Sequence, residues 1–182
     1  MSTGDAPTAL VVYESMFGNT AEVGRAVADG LEDTMTVTVR SVQDTTDDAV
    51  ADVDLVVAGG PTHAFSMSRS STRSQAHTQG APGGRDDVGL REWLEARHAG
   101  PHSPWLATFD TKVAKVRRLP GSAAKGAARL GHKRGFDAMA SPESFYVADT
   151  PGPLVEGEIE RARAWGRELA GLVEARAGVG GH

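Results

Sequence analysis

The amino-acid sequence predicts an α/β fold, a doubly wound parallel β-sheet with helices on both faces. Five short apolar runs recur along the 182 residues, and stretches with helical spacing of apolar residues separate them. This alternation is typical of parallel strands joined by crossover helices. We therefore expect a single domain over 1–182, with flexible tails at 1–7 and 177–182.

Three of the five strands are predicted in the first third of the chain. Residues 9–13 and 53–58 are continuous apolar runs, as expected of strands buried on both faces, and 35–39 alternate apolar residues with threonine. Between them, 20–31 has apolar residues at helical spacing, and Asn19 stands where helix caps are preferred. Residues 44–51 are a short helix candidate, with acids in the first turn.

The rest of the chain supplies two strands and three helices. Residues 66–86, rich in Ser, Thr, Arg, Gln and Gly, predict a long irregular loop. A helix follows to residue 97, then a fourth strand at 105–109 and a helix at 120–133 that has proline in its first turn. The fifth strand is predicted at 136–140, with an extension to 147 left open. The last helix begins after Pro153, with glutamates early and arginines later.

Composition excludes several classes of function. The chain has no cysteine, which excludes disulfides, thiolate zinc sites and iron–sulfur clusters. His98 and His102 cannot share a helix face across Gly100-Pro101, so they are not a zinc pair, and we expect no metal. No apolar run is long enough to span a bilayer, and no basic residue precedes the first strand as a secretory signal requires. We expect a cytoplasmic protein that binds no membrane.

Charge is distributed unevenly along the chain. Residues 1–60 carry a net charge of −9, residues 61–134 carry +8 and residues 135–182 carry −4, which sum to −5. A nucleic-acid partner is disfavoured because few aromatic residues lie among the bases. A solvated face, or a surface that attracts an anion or an acidic partner, stays open.

The segments that follow strands one, three and four are the places to search for a site, because ligands bind at the carboxyl ends of parallel strands. Residues 14–20 lie between a strand and a helix, where backbone N–H groups and the positive end of the helix dipole face a ligand. Gly18 permits a positive φ or a close approach. The segment has no Lys or Arg and is not a P-loop, so it is either a phosphate site built from N–H groups and hydroxyls or a polar turn that caps the helix.

Residues 11–20, VVYESMFGNT, resemble the FMN phosphate-binding signature of the flavodoxins, including the flavodoxin domains of flavodiiron proteins and actinobacterial flavodoxin-family proteins. Residues 59–63, GGPTH, resemble the loop that flanks the isoalloxazine ring in that family. Residues 109–111 fall where the third flavin loop begins. The resemblance covers 8–175 and implies a strand order of 2-1-3-4-5. The sequence departs from the family at Phe17, where many flavodoxins carry a hydroxyl, and at Gly24, where alanine is usual.

The resemblance implies that FMN is the cofactor and that three loops hold it. The implied FMN-binding residues are Ser15, Met16, Phe17, Gly18, Asn19 and Thr20 at the phosphate, Pro61, Thr62, His63, Ala64 and Phe65 beside the ring, and Phe109, Asp110 and Thr111 in the third loop. His63 stands where many flavodoxins place tryptophan, and its titration would couple the flavin potential to pH. Four bases after Asp110, namely Lys112, Lys115, Arg117 and Arg118, favour a less negative potential unless they are solvated and screened.

The function that follows is that of a low-potential electron carrier with redox partner proteins and no catalytic residue of its own. Two alternatives stay open. One is an NAD(P)H-dependent quinone-type reductase, in which the segment 66–84 shapes or covers a space over the flavin. The other is a scaffold that kept the fold and lost the flavin. Arg69 and Arg73 in that segment are expected to be exposed, and contact with an approaching anion such as a nicotinamide dinucleotide phosphate is the alternative for them.

Overall fold

A computed structural model describes residues 5–179, so the predicted tails at 1–7 and 177–182 lie partly outside the described residues. The strands are β1 (Thr8–Tyr13), β2 (Thr36–Ser41), β3 (Leu55–His63), β4 (Ser66–Met67), β5 (Trp105–Val113) and β6 (Glu143–Val147). Five of them form a parallel sheet in the order β2-β1-β3-β5-β6. This confirms the predicted class and the predicted order of the parallel strands. The short strand β4, which pairs antiparallel with β3, was not predicted.

Helices cover both faces of the sheet. They are α1 (Asn19–Leu31), α2 (Asp48–Ala51), α3 (Ser70–Thr78), α4 (Leu90–Glu95), α5 (Ala123–Lys133) and α6 (Glu158–Val179). On one face α1 and α6 pack on a core centred on Phe109, Phe145 and Trp165, whose rings meet edge to face at 6.0–6.3 Å. On the other face α4 and α5 pack on a second core that includes Trp93. The two cores hold the sheet between layers of helices, which leaves the carboxyl ends of the strands as the place for a site.

The predicted loop over 66–86 is wrong, since this segment contains β4 and α3. The sequence of α3 has no apolar stripe because the buried residues of the helix are only Arg73 and Ala76. A helix of this kind gives no periodic signal. Its stability comes from polar contacts made with distant parts of the chain.

Strand boundaries also differ from the prediction. The fifth strand is not at 136–140 but at Glu143–Val147, within the extension that the sequence left open. The apolar side chains of Phe136 and Met139 are buried by packing, and only Ala138 forms an isolated bridge, to Leu106. Both β3 and β5 run several residues further than predicted. Residues 110–113 therefore belong to a strand rather than to a loop.

Candidate functional site

The carboxyl ends of four strands surround a cavity of about 50 Å³. Its lining comes from the β1–α1 loop, the end of β3, the end of β5 and the segment after β6: Ser15, Met16, Phe17, Asn19, Thr20, Pro61, Thr62, His63, Thr111, Val113, Val147 and Thr150. Nine of the fourteen residues that the sequence predicts are in this lining. Three lining residues were missed: Val113, because β5 was predicted to end at residue 109, and Val147 and Thr150, because the fifth strand was placed too early in the chain.

A second cavity of about 210 Å³ adjoins the first and shares Thr62, His63 and Thr150 with it. The helix α3 forms one wall of this second cavity with Thr72, Gln75, Ala76 and Gln79. Of the predicted residues, Ala64 lines this cavity and not the first. The two cavities are therefore neighbours at the carboxyl edge of the sheet, one beside the start of α1 and the other beside α3.

The β1–α1 loop is shaped by Gly18 and Ser15. Gly18 has φ +98°, which disfavours residues with a side chain. The Ser15 hydroxyl accepts hydrogen bonds from the N–H groups of Gly18 (3.1 Å) and Ala21 (3.3 Å), so Ser15 caps the helix and the predicted cap at Asn19 is wrong. Among residues 5–179, no group accepts a hydrogen bond from the N–H of Asn19 or Thr20. These N–H groups are unsatisfied donors at the positive end of the helix dipole.

Threonine hydroxyls connect the loops around the cavity. The hydroxyls of Thr20 and Thr111 lie 2.7 Å apart, which joins the first loop to the end of β5. Thr62 donates to the carboxylate of Asp110 over 3.0 Å and accepts from the N–H of Ala123 over 2.9 Å, which joins the end of β3 to α5. The site is thus held by hydroxyl contacts between elements that are far apart in sequence.

Two of the predicted residues have structural roles and do not line either cavity. Phe109 is fully buried against Phe145 and Trp165, on the α1–α6 side of the sheet. Asp110 is also fully buried, and its Oδ2 accepts from the hydroxyl of Ser122 and from the N–H of Ala124 (3.0 Å), next to the start of α5. Asp110 therefore holds α5 and Thr62 in place beneath the cavity. Thr111 shares a face of β5 with Phe109 but lies two residues nearer the carboxyl end, where it lines the cavity.

The β3–β4 hairpin turns through two residues with positive φ, Ala64 at +47° and Phe65 at +63°. This conformation is what a two-residue type I′ hairpin turn requires, and Asn or Gly usually occupies it. A positive φ at a residue with a side chain costs about 1–3 kcal/mol and persists only where the surrounding structure imposes it. Phe65 is half exposed and is not among the residues that line either cavity, and its place beside the ring stays a prediction.

A buried polar network, which sequence analysis did not predict, lies beneath the β1–α1 loop. Arg73, expected on the surface, is fully buried. Its guanidinium donates to the hydroxyl of Ser68 (2.8 Å) and to the backbone carbonyl of Asp86 (2.8 and 3.0 Å), and it pairs with the carboxylate of Glu92 at 3.1 Å. The hydroxyl of Ser68 donates in turn to Glu14, the last residue before the loop.

Glu14 also accepts a hydrogen bond of 2.7 Å from the N–H of Leu90, at the start of α4. The network therefore ties the end of β1 to β4, α3 and α4. Burial raises the pKa of Glu14, against the opposing effects of its hydrogen bonds and of Arg73. Burial also lowers the pKa of His63, and the positive charge of Arg73 lowers it further, so the imidazole is neutral at pH 7.

The bases after Asp110 separate into one buried and three exposed residues. Lys112 is buried, and its ammonium donates to the carbonyls of Leu119 (2.8 Å) and Gly121 (2.9 Å). Lys115, Arg117 and Arg118 are exposed. Lys112 therefore fixes the β5–α5 connection from below, while the other three face solvent.

Two further searches of residues 5–179 gave no candidate. None of the helices there has the length and hydropathy needed to cross a bilayer. Within the same residues, no cluster of three or more His, Asp or Glu side chains is placed to hold a metal ion.

No protein-family model matches the sequence, and no curated protein matches it either. Solved structures match in fold. A flavodoxin from the domain Archaea has a TM-score of 0.63 and 18% identity, over 92% of this chain and 99% of that chain. A WrbA-like flavodoxin from Agrobacterium tumefaciens has a TM-score of 0.58 and 15% identity, over 93% of this chain and 99% of that chain. Diflavin flavoprotein A3 from Nostoc sp. has a TM-score of 0.57 and 13% identity, over 98% of this chain and 100% of that chain. The chain therefore has the flavodoxin-like fold.

Proposed function

We propose that this protein binds FMN non-covalently at the carboxyl edge of the sheet and carries electrons between redox partner proteins. The observation that best supports this is the pair of unsatisfied N–H donors at Asn19 and Thr20, beside a cavity lined by hydroxyls and by no Lys or Arg. A phosphate group fits such a site, because helix N-termini bind anions through N–H groups and the helix dipole. The fold of flavodoxins from other organisms supports the same choice.

The adjoining cavity is where the ring of FMN is accommodated in this proposal. FMN supplies one- and two-electron redox chemistry that the side chains of a protein without cysteine lack. The residues of the chain position the cofactor and exclude water from it. His63, Ala64 and α3 form the walls of this cavity, and the loop from β6 closes it at Thr150.

The charges around the site bear on the flavin potential. Burial and the charge of Arg73 lower the pKa of His63, so the fold favours the neutral form of the imidazole beside the ring cavity. The exposed cations Lys115, Arg117 and Arg118 favour negative charge on a reduced cofactor, although salt screens them. We therefore expect a potential less negative than that of flavodoxins with acidic residues at this loop, and a redox titration at low and high salt checks it.

A reductase is a second candidate, because α3 provides the second cavity with amide side chains. Gln75 and Gln79 add amide groups to the wall of the ring cavity, where they are placed to bind a second small molecule that approaches the ring. The similarity to a WrbA-like protein favours the same candidate. Oxidation of NAD(P)H by the purified flavin-loaded protein, with no separate reductase, would identify this activity.

Cofactor binding is tested by titrating the flavin-free chain with FMN and with riboflavin, which lacks the phosphate, and following flavin fluorescence. We expect FMN to bind at least about tenfold more tightly, since one charge-assisted hydrogen bond contributes about 1.5–3 kcal/mol. Thr20→Ala should weaken FMN but not riboflavin, while Thr34→Ala, at an exposed position, should change neither. Equal affinity for both flavins would overturn the phosphate site. Binding of neither flavin would overturn the proposed function and favour the alternative of a scaffold that has lost the flavin.

A further inference from the structure

Two large apolar side chains are exposed next to the site. Phe65 is 50% exposed at the tip of the β3–β4 hairpin, and Leu119 is 48% exposed in the β5–α5 connection. They are two of the four large hydrophobic residues that are exposed within 5–179. Exposed apolar residues that cluster beside polar ones are typical of surfaces that bind other proteins.

The structure holds these two side chains in place. A Cβ atom at Gly121 would lie 2.3 Å from the carbonyl oxygen of Phe65 and 2.6 Å from its Cβ, so the hairpin tip packs directly on the backbone of Gly121. The ammonium of Lys112 binds the carbonyls of both Leu119 and Gly121. Phe65 has a positive φ, which is rare for a bulky side chain, and its side chain is half exposed.

Uncompensated positive charge lies on the same segment. Residues 113–135 contain seven Lys and Arg residues and no Asp or Glu, although the whole chain carries −5. Three of the seven, Lys115, Arg117 and Arg118, are exposed around Leu119 and form no ion pair with any residue in 5–179. An apolar centre with a charged rim is the usual composition of a protein-binding surface.

We propose that Phe65, Lys115, Arg117, Arg118 and Leu119, here called the basic patch, dock an acidic electron-transfer protein. The proposal rests on the proposed function, because docking here brings a partner against the hairpin whose His63 and Ala64 line the ring cavity. Positive charge attracts an acidic protein and repels a basic one over distances of a Debye length. The two apolar side chains then give contact area that a small anion does not need.

The test uses the full chain, with and without bound flavin, and two protein probes of opposite charge. An acidic plant-type ferredoxin and a basic mitochondrial-type cytochrome c are each titrated into the isotope-labelled chain, and amide chemical shifts and affinity are recorded at low and high salt. We expect shifts at Phe65 and Leu119 with the ferredoxin only, and a loss of affinity as salt is raised. Weak encounters of this kind are normal for redox proteins.

Variants separate charge from contact. Arg117→Glu/Arg118→Glu should weaken ferredoxin binding by about tenfold or more, because like charges then face each other. Leu119→Ser, or Phe65→Asn, which tolerates the positive φ, should weaken it by about threefold or more. The matched control is Arg25→Glu/Lys133→Glu, which makes the same change in net charge at exposed positions of α1 and the end of α5. It should leave the shifts at the basic patch in place.

Three results would overturn the basic patch: binding of cytochrome c there, binding of neither probe at low salt, or an equal loss of affinity in the control. These outcomes are independent of the flavin. A chain that binds ferredoxin at the patch but binds no FMN would keep the docking surface and remove the proposed function. A chain that binds FMN but neither probe would keep the proposed cofactor site and remove the docking surface.

Discussion

The β1–α1 loop and the β5–α5 connection both border the site, but they differ in whether their charged side chains are buried or exposed. Beneath the β1–α1 loop the charges of Glu14 and Arg73 are buried and joined through Ser68, and no cation lines the cavity above them. In the β5–α5 connection one cation is buried and three are exposed. Buried charges hold a shape, whereas exposed charges act at a distance. The buried charges therefore fix the shape of the β1–α1 loop, whereas the exposed charges of the β5–α5 connection can attract negatively charged groups.

Arg73 gives the strongest test of this contrast. Arg73→Met should lower the free energy of unfolding by about 3–5 kcal/mol, because it leaves the buried carboxyl of Glu14 without its support. Urea denaturation measures the change. Arg85→Met, which removes an exposed ion pair with Asp87, should cost at most about 1 kcal/mol. A similar cost for the two variants would mean that the network does not hold the loop.

Lys112 tests the other side, with a smaller expected effect. Lys112→Met should lower the free energy of unfolding by about 1–3 kcal/mol, since it removes two hydrogen bonds from a charged donor but leaves only carbonyls behind. Hydrogen exchange should rise locally in 113–122. Lys115→Met, on the exposed face of the same segment, is the control and should change neither quantity.

Gly18 shows whether backbone shape alone governs the first loop. An added Cβ at Gly18 meets nothing within 4 Å, so Gly18→Val strains φ without a clash. The cost should be about 1–2 kcal/mol, and Gly18→Asn should cost less because asparagine tolerates a left-handed conformation. Thermal unfolding and FMN titration of both variants check this order. Full FMN affinity in Gly18→Val would remove the phosphate from this loop.

His63 lies between the two segments and should have the smallest effect. Its pKa is lowered in the fold by burial and by Arg73, so the folded state favours the neutral ring. The stability that this gives is complete above the ordinary pKa of about 6.5 and is lost as pH falls through the lowered value. Below pH 6.5 the free energy of unfolding of the native chain should therefore fall more steeply than that of His63→Asn. The contribution of Glu14 is common to both proteins, so identical slopes of stability against pH would contradict a role for His63.

The sequence predicted the parts of the molecule that depend on local patterns. Apolar runs located β1 and β3, and the SMFGNT and GPTH segments located most of the cavity lining. It missed what depends on distant partners. Arg73 is buried only because Ser68, Asp86 and Glu92 meet around it, and a polar helix such as α3 has no periodic signal.

The length of β5 decides where the predicted residues of the third loop lie. Because the strand continues to Val113, Phe109 packs in the α1–α6 core and Asp110 faces α5, and of these three residues Thr111 alone lines the cavity. Thr111 shares a face of the strand with Phe109 but lies two residues nearer its carboxyl end. Sequence analysis ended this strand at residue 109, where the polar residues begin. Within the strand, the Oδ2 atom of Asp110 accepts hydrogen bonds from Thr62 and Ser122, whereas its buried Oδ1 atom has no partner among residues 5–179.

The anchoring of the β5–α5 connection by Lys112 has a consequence for how the protein can change. Lys112 holds the segment from its inner side, and the outward side chains of Lys115, Arg117 and Arg118 form no hydrogen bond or ion pair with residues 5–179. Substitution of these side chains should therefore leave the backbone of the connection and the core unchanged. On the proposed docking surface, charge can thus change through selection or engineering, one side chain at a time, without loss of the fold.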